Sequence, residues 1–333
     1  MTSPPSRRAD ARPHRRRLIA PEVLCGVLVL ALWLGRVLDM APARTAATVF
    51  VAVCTQAAPF LVLGVLVSGA VAAFVPAGLL RRVLPRNEIG AVGVASLAGV
   101  ALPGCECASV PVARRLIRQG VPVPVALAFL LAAPAINPVV LVATAVAFPG
   151  TPSMVLARFL GSLVTSLVMG WLWSRSGRPE WIMERVRAVV PARADGPRWA
   201  VFVQAARSDL ADAGAFLVLG ALAAAILNVV IPSSWFGVVG RSPVTGVVVL
   251  AVLAVVLALC SAADAFVAAS LSALPLLPRL VFLVVGPAVD VKLIALYAGT
   301  FGRAFVARFA PATFVVAVCA AVFVGLCLLG GYR

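Results

Sequence analysis

Charged residues are scarce in this chain of 333 residues, and their scarcity excludes a soluble protein. Only 12% of the residues are charged, whereas 62% are hydrophobic and the mean hydropathy is +1.08. A soluble domain carries about 25% charged residues because it must cover its surface with them. The apolar residues instead form long runs, and about 20 such residues cross a bilayer as a helix. The composition predicts an all-α polytopic membrane protein surrounded by the lipid bilayer.

Histidine and lysine are almost absent, with one residue of each. His14 lies in a basic leader, so histidine-based metal or acid–base chemistry is not expected. The net charge of +16 comes from arginine, and most arginines flank apolar runs. There they orient membrane spans instead of binding phosphates. We therefore expect no nucleic-acid partner.

Motifs for nucleotide binding and hydrolysis are also missing from the sequence. The chain has no Walker loop, no HExxH pair, no Ser-His-Asp set and no dinucleotide fingerprint. ATP-driven action by this chain alone is therefore not expected. The sequence predicts no cofactor and favours a transporter over an enzyme.

Nine apolar segments organise the chain. Two of them, 89–118 and 244–275, are broken in the middle, at 103–107 and 260–264. Backbone groups freed at a break must find partners inside the protein or in a wet cavity, so broken helices mark sites in transporters. The other seven segments are predicted to be complete spans: 21–38, 45–75, 119–148, 152–173, 202–231, 280–301 and 304–330.

The arginine distribution favours broken segments that dip into the membrane and return. Arginines at 81–86, 114–118 and 175–198 share one side only if 89–118 is re-entrant, as the positive-inside rule requires. The N-terminus is then cytoplasmic and the C-terminus outside. Full crossing stays open as an alternative, because residues 89–102 already span about 21 Å as a helix.

The two halves of the chain resemble each other. FLVLG at 60–64 recurs at 216–220, and Ala-Arg-Phe at 157–159 recurs at 307–309. Under the topology above the repeats are inverted, and transporters of that design bind substrate near the midplane, where the broken segments meet. The predicted organisation is a basic cytoplasmic leader with an extra span in 1–44, a first repeat in 45–173, a basic cytoplasmic linker in 174–200 and a second repeat in 201–333.

The Cys-Glu-Cys break is the sharpest chemical feature. Cys105 and Cys107 can offer two soft sulfurs to one ion, and Cys260 is the repeat mate of Cys105. Thiolates suit monovalent copper, zinc and other thiophilic centres, and trivalent arsenic chemically belongs with them. We predict that these three cysteines line one substrate site, without assigning a metal. The alternative is that small residues pack a tight re-entrant turn.

Ionisable residues inside apolar segments point to coupling. Glu106, Asp264 and Asp290 each cost roughly 2.5 kcal/mol or more at the bilayer centre unless they are paired or wet. We predict that they carry charge compensation or proton coupling, with Lys292 on the path. Structural pairing of Glu106 and Asp264 with backbone amides is the alternative. Asp290 and Lys292, two residues apart, would not face each other on a helix.

Asn137 is the repeat mate of Asp290 and lies between Pro134 and Pro138. Two prolines around an amide expose carbonyl groups that could coordinate a substrate or an ion. We predict that Asn137 lines the substrate site, with a simple kink as the alternative.

Four charged residues near span ends are expected to have structural roles only. Asp209 and Asp212 are expected in the first turn of a helix, where the helix dipole stabilises anions. Arg158 and Arg308 are expected to snorkel towards the membrane surface.

The motifs resemble those of the ArsP-type predicted permeases. The resemblance rests on PGCECASVPVARR at 103–115, LAFLLAAPAINP at 127–138, ADAFVAA at 263–269 and GPAVDVK at 286–292. It covers about 45–330 and implies a permease of the plasma membrane, in a family whose members of assigned function export trivalent organoarsenicals. The family's cysteine motif corresponds to Cys105 and Cys107. Glu106 stands here where many relatives have a small residue, and its charge favours a cation or a proton-coupled step.

The sequence as a whole therefore predicts an inverted-repeat, transporter-like helical bundle with two broken or re-entrant segments. Its expected activity is secondary-active efflux of a thiophilic solute such as a trivalent organoarsenical. One alternative is a membrane thiol–disulfide oxidoreductase that relays electrons through Cys105, Cys107 and Cys260, because a disulfide between i and i+2 cysteines is strained and labile. Another is a permease subunit for an unknown substrate that works as a homo-oligomer or with a partner protein.

Overall fold

The computed structural model describes residues 41–74, 85, 87–101, 106–177, 197–230, 243–272 and 274–330. The predicted span 21–38 and most of the predicted linker 174–200 lie outside these ranges. The chain divides into two compact units, Met1–Arg44 and Thr45–Arg333. All contacts given below are contacts within the second unit.

Every regular element in the described residues is a helix. The helices are α1 Ala41–Phe74, α2 Glu88–Ala98, α3 Glu106–Arg118, α4 Val123–Ile136, α5 Pro138–Ala147, α6 Pro152–Ser176, α7 Arg198–Val230, α8 Pro243–Leu257, α9 Ser261–Ser270, α10 Leu276–Ala288, α11 Val291–Thr300 and α12 Arg303–Leu328. A short 3-10 turn, Gly99–Ala101, follows α2.

Six helical stretches in the described part of the chain are long and apolar enough to cross a membrane. They are Ala43–Phe74, Val123–Ala147, Pro152–Ser176, Arg198–Ile226, Leu276–Thr300 and Arg303–Leu328, and each overlaps one of the predicted complete spans. The helices α2 and α8 are apolar but shorter, as broken segments require. The prediction of an all-α polytopic membrane protein is confirmed.

Two of the six spans are themselves interrupted, which adds two breaks to the two predicted ones. Asn137 separates α4 from α5 in an extended conformation, with φ −70° and ψ 155°. Val289 and Asp290, both extended, separate α10 from α11, and Asp290 has φ −139° and ψ 171°. Pro138 favours a new helix at this point, since the N–H that proline lacks is not needed in the first turn.

The most deeply buried helices are α4 and α10. Nearly all their residues are buried, because both are apolar apart from Arg279 of α10, and such a helix is stable only inside protein or lipid. Helices α2, α3 and α6 surround α4, whereas α8, α9 and α12 surround α10, and the two central helices also touch each other. The described breaks, at 258–260, at Asn137 and at Asp290, adjoin these central helices and therefore lie within the protein.

Helices α6 and α12, which carry the two Ala-Arg-Phe segments, pack antiparallel. Trp173 near the end of α6 makes edge-to-face contacts with Phe305 and Phe309 near the start of α12, at centroid distances of 5.1 and 5.5 Å. Gly161 near the start of α6 lies against Ala321 towards the end of α12. These two corresponding helices of the halves therefore run in opposite directions.

Candidate functional site

The break between α8 and α9 is where most of the described candidate residues meet. Residues 258–260 belong to neither helix, so the carbonyl groups of Ala258 and Leu259 are not used in an α-helical ladder. Ala258 ends α8 with a φ of +48°, a left-handed conformation that is common at helix C-termini but strained for alanine. Cys260 is buried and occupies the cap position of α9.

Lys292 crosses from α11 to this break. Its Nζ donates to the carbonyl oxygens of Ala258 and Leu259, at 3.3 Å each. It also lies 3.4 Å from Oδ2 of Asp290, and both side chains are almost fully buried. The unwound end of α8 therefore holds a cation inside the protein, where lipid could not solvate it.

The Asp290–Lys292 pair forms because Asp290 is not part of the helix. Asp290 caps α11, and its Oδ1 accepts a hydrogen bond from the N–H of Leu293 at 2.5 Å. The extended backbone at the cap turns the second carboxylate oxygen towards Lys292. Residues two apart do not face each other within a helix. Asp290 precedes the first residue of α11, so this expectation does not apply to the pair.

A glycine positions Lys292 from the other side. Gly220 of α7 packs directly on α11, and a Cβ at this position would lie 2.8 Å from the Cα of Lys292. Small residues allow two membrane helices to approach this closely. The second FLVLG segment thus fixes the α7–α11 crossing.

Arg158 contacts the same break from the first half of the chain. Its guanidinium donates to Oγ1 of Thr144 on α5 at 2.7 Å and to the carbonyl oxygen of Ser261 on α9 at 2.6 Å. The side chain is fully buried, so the expectation that Arg158 snorkels is wrong. The reason is that this face of α6 turns towards α5 and α9 and not towards the lipid. Its repeat mate Arg308 is exposed.

Asp264 lies in the first turn of α9 and is buried. Its carboxylate sits against Gly286 of α10, where a Cβ would come within 2.7 Å of Oδ2. The N-terminal end of a helix favours a negative charge, and the missing side chain at Gly286 leaves the space for it.

The break at 258–260 therefore has a buried thiol, two cations and two carboxylates around it. These are Cys260, Arg158, Lys292, Asp264 and Asp290, and we call them the break site. The formal charges cancel, which is the condition under which buried ions are tolerated. Such an arrangement can bind a soft solute through sulfur, and a proton taken up by one carboxylate changes its net charge from zero to plus one.

Asn137 joins two helix ends. Its Oδ1 accepts from the N–H of Val140 at 3.0 Å, and its Nδ2 donates to the carbonyl oxygen of Ala133 at 3.1 Å. The break at Asn137 is thus held by the asparagine itself. Its contact with a substrate stays a prediction.

The Cys-Glu-Cys motif is only partly described. Cys105 lies outside the described residues, and Glu106 and Cys107 are described as the backbone that begins α3. A site shared by Cys105, Cys107 and Cys260 therefore stays a prediction, as does the coupling role of Glu106.

A second polar cluster, which sequence reasoning missed, joins α1, α3 and α7. Asp209 is buried, accepts a hydrogen bond from the hydroxyl of Ser68 at 2.6 Å and pairs with Arg115 at 3.5 Å. One turn further along α7, Asp212 pairs with Arg114 at 3.0 Å. We call these five residues the α3–α7 cluster.

The expectation that the two aspartates belong to a first helical turn is wrong. Helix α7 begins at Arg198, so Asp209 lies about three turns inside it. The aspartates are stabilised by arginines of the other half and not by the helix dipole. The sequence did contain a signal for this cluster, namely two acids at i and i+3 in one long apolar helix and two adjacent arginines in another helix. Such charges need partners.

The chain matches the family model described as an ArsP-type predicted permease over residues 43–326. It is 33% identical over 275 residues to the UPF0718 protein YcgR of Bacillus subtilis, covering 81% of this chain and 93% of that protein. It is 29% identical over 283 residues to a Streptococcus mutans protein whose name describes a subunit of a two-component membrane permease complex, covering 84% and 94%. No solved structure matches. With its bundle of membrane-spanning helices and a family match over most of its length, the chain belongs to the ArsP-type predicted permease family.

Proposed function

We propose that the protein is a secondary-active permease of the plasma membrane that exports a thiophilic solute, such as a trivalent organoarsenical. The observation that carries the proposal is the break site, where Cys260 lies beside buried Lys292, Asp290 and Asp264. Buried ionisable groups in membrane helices are costly and typically mark transport pathways. Membership of a permease family agrees with transport but does not define the solute or its direction.

In this proposal the cysteines bind the solute and the acidic residues carry the coupling ion. Cys260, with Cys105 and Cys107, supplies soft sulfur ligands. Asp264, Asp290 and Glu106 compensate charge or carry a proton. Asn137 and Lys292 line the path. Lys292 also keeps the end of α8 unwound, because its Nζ binds two carbonyl oxygens there.

An inverted repeat supports transport by alternating access. The antiparallel packing of α6 on α12 agrees with a repeat at 45–173 related to one at 201–333 by an axis in the membrane plane. In such transporters one repeat rocks against the other around a central site. We further propose a cytoplasmic N-terminus and basic segment 174–200, since this orientation follows the positive-inside rule.

A second candidate function is that of one subunit in a larger permease. The relative from Streptococcus mutans is named as a subunit of a two-component complex. If this chain also requires a partner, the chain purified alone would bind the solute without transporting it.

Transport by everted membrane vesicles tests the proposal. We expect gradient-driven accumulation of methylarsenite in vesicles that contain the protein. Cys260→Ser and the double variant Cys105→Ser/Cys107→Ser should each lower the initial rate about tenfold, the effect of losing about 1.4 kcal/mol of binding free energy with a sulfur ligand.

The matched control is Cys319→Ser, since Cys319 is exposed on α12 and should leave the rate unchanged. Accumulation that is equal in all cysteine variants would contradict the sulfur site. No accumulation by the unaltered protein, with methylarsenite binding retained, would favour the subunit alternative. No binding at all would remove organoarsenicals as the solute.

A further inference from the structure

We propose that the Arg158 contacts and the α3–α7 cluster are the two gates that close the opposite ends of the transport path. The inference deepens the proposed function, because it assigns the residues that control access to the break site. The Arg158 cluster is defined as Arg158, Thr144 and Ser261. Each of the two clusters joins the first half of the chain to the second.

The two clusters lie at opposite ends of one membrane span. Arg114 and Arg115 lie in the last turn or so of α3, which is joined to the start of α4 at Val123 by a short turn. Thr144 lies near the other end of the same span, which runs over Val123–Ala147. At 1.5 Å per residue α4 is about 21 Å long and α5 about 15 Å, so the clusters lie near opposite ends of this interrupted span.

The part of the break site around Lys292 and Cys260 lies between the two clusters. Along α7, Gly220 packs on Lys292 and is 11 residues from Asp209, or about 16 Å at 1.5 Å per residue. Lys292 contacts the carbonyls of Ala258 and Leu259. The next residue is Cys260, and Ser261 is already a partner of Arg158.

Both clusters are positioned to hold the halves together. In the α3–α7 cluster, Ser68 and two arginines come from the first half and two aspartates from the second. In the Arg158 cluster, the first half supplies a charged donor and the second half supplies a backbone carbonyl of the unwound segment. Charged hydrogen bonds are strong, and these contacts hold the halves together for as long as both clusters are formed.

Alternating access requires one end of a path to be closed while the other is open. In the structure both clusters are formed and Cys260 is buried, which is the arrangement of an occluded state. Opening towards one side then breaks the Arg158 cluster, and opening towards the other breaks the α3–α7 cluster. Weakening one gate should therefore expose Cys260 to one side of the membrane only.

The experiment measures how fast a membrane-impermeant maleimide labels Cys260, in right-side-out and in inside-out vesicles, by mass spectrometry of the peptide that contains Cys260. The unaltered protein should be labelled slowly in both. Arg158→Gln should raise the rate in one preparation and Asp209→Asn in the other, each about tenfold, because losing a charged hydrogen bond shifts an opening equilibrium by about that factor.

Each gate variant has a matched control, either in the same helix or at the corresponding position of the other repeat. Arg308→Gln alters the exposed repeat mate of Arg158, and Arg207→Gln alters an exposed arginine on α7 close to Asp209. Neither should change the labelling of Cys260. The charge exchange Asp209→Arg/Arg115→Asp should restore slow labelling, which a variant that had merely lost its fold would not do.

Faster labelling from the same side in both gate variants would overturn the proposal, and so would unchanged labelling in both. The assay uses no transported solute, so it fails or succeeds independently of the organoarsenical proposal. If the two gate variants are labelled from opposite sides but methylarsenite is not transported, the gate proposal is supported and the organoarsenical proposal is wrong.

Discussion

At the scale of single residues, the break site is built from charges that are acceptable only together. Lys292 and Asp290 are both almost fully buried, and they are 3.4 Å apart. The first half of the chain has Asn137 at the position of Asp290 and Val139 at the position of Lys292. The uncharged pair shows that a cap at this position needs a side-chain acceptor but no ion pair. The charges in the second half therefore serve a purpose other than capping.

This comparison gives a prediction at the same scale. Lys292→Val should lower the free energy of unfolding by on the order of 3–5 kcal/mol, since it leaves a buried carboxylate without its partner. The double variant Asp290→Asn/Lys292→Val reproduces the residues of the first half and should recover much of that stability. Thermal unfolding of the purified protein in detergent measures both. A double variant that is no more stable than the single one would show that the pairing does not stabilise the fold.

Asp264 and Asp290 could be recognised as candidate coupling residues from the sequence, because carboxylates in apolar segments are conspicuous. The contacts that the buried charged residues make with other helices could not be derived in the same way. Arg158 looked like a span-end arginine, and only the packing of α6 against α5 and α9 shows that its guanidinium reaches Ser261. A contact between residues 103 positions apart leaves no local pattern.

At the scale of helices, glycines determine how closely two elements approach. Gly220 and Gly214 lie in the same helix, α7, but a Cβ at Gly220 would meet the backbone of Lys292, whereas one at Gly214 would have nothing within 4 Å. The FLVLG repeat at 60–64 shows the same feature, because Gly64 packs on Ala108 of α3. The repeated glycine is therefore explained by a close helix crossing in each half.

The two glycines of α7 give a matched pair of variants. Gly220→Ala should destabilise the protein by about 1–3 kcal/mol, because a side chain forced into a packed crossing displaces α11. Gly214→Ala should be neutral or stabilising by up to about 1 kcal/mol, since alanine is the better helix former. The thermal unfolding midpoints of the two variants decide the matter. Equal midpoints would mean that the α7–α11 crossing tolerates a methyl group.

Helix breaks were predictable in part. Proline, glycine and charged residues within apolar runs marked 103–107 and 260–264 from the sequence. The breaks at Asn137 and Asp290 were harder to recognise, because a long apolar run around a single polar residue is equally typical of a kinked span. The deciding feature is that each side chain accepts a hydrogen bond from the backbone N–H three residues later.

At the scale of the whole molecule, the relative direction of the halves is the central property. The antiparallel packing of α6 on α12 rests on Trp173 at one end and Gly161 at the other. It agrees with an inverted repeat and thus with transport by alternating access.

A cross-linking experiment tests this direction. A Cβ at Gly161 would lie 3.8 Å from the Cα of Ala321, which is within the reach of a disulfide. In a Cys319→Ser background, Gly161→Cys/Ala321→Cys should form a disulfide on mild oxidation. Gly161→Cys/Ala312→Cys, which would link only if the helices were parallel, should not. Gel mobility after cleavage between the helices distinguishes the two. A link in the second pair and none in the first would contradict the antiparallel arrangement.

The sequence by itself determined the class of the protein, the six spans of the described residues and the presence of interrupted apolar segments. Hydropathy and interrupted apolar runs are local properties of the chain, and the cost of placing polar backbone in lipid makes them decisive. Only the tertiary structure decided which charges meet. The partners of Lys292, Arg158 and Asp209 come from distant segments, and a buried ion is stabilised by geometry across helices. That geometry depends on how the twelve helices of the described residues pack, and no local pattern of residues specifies it.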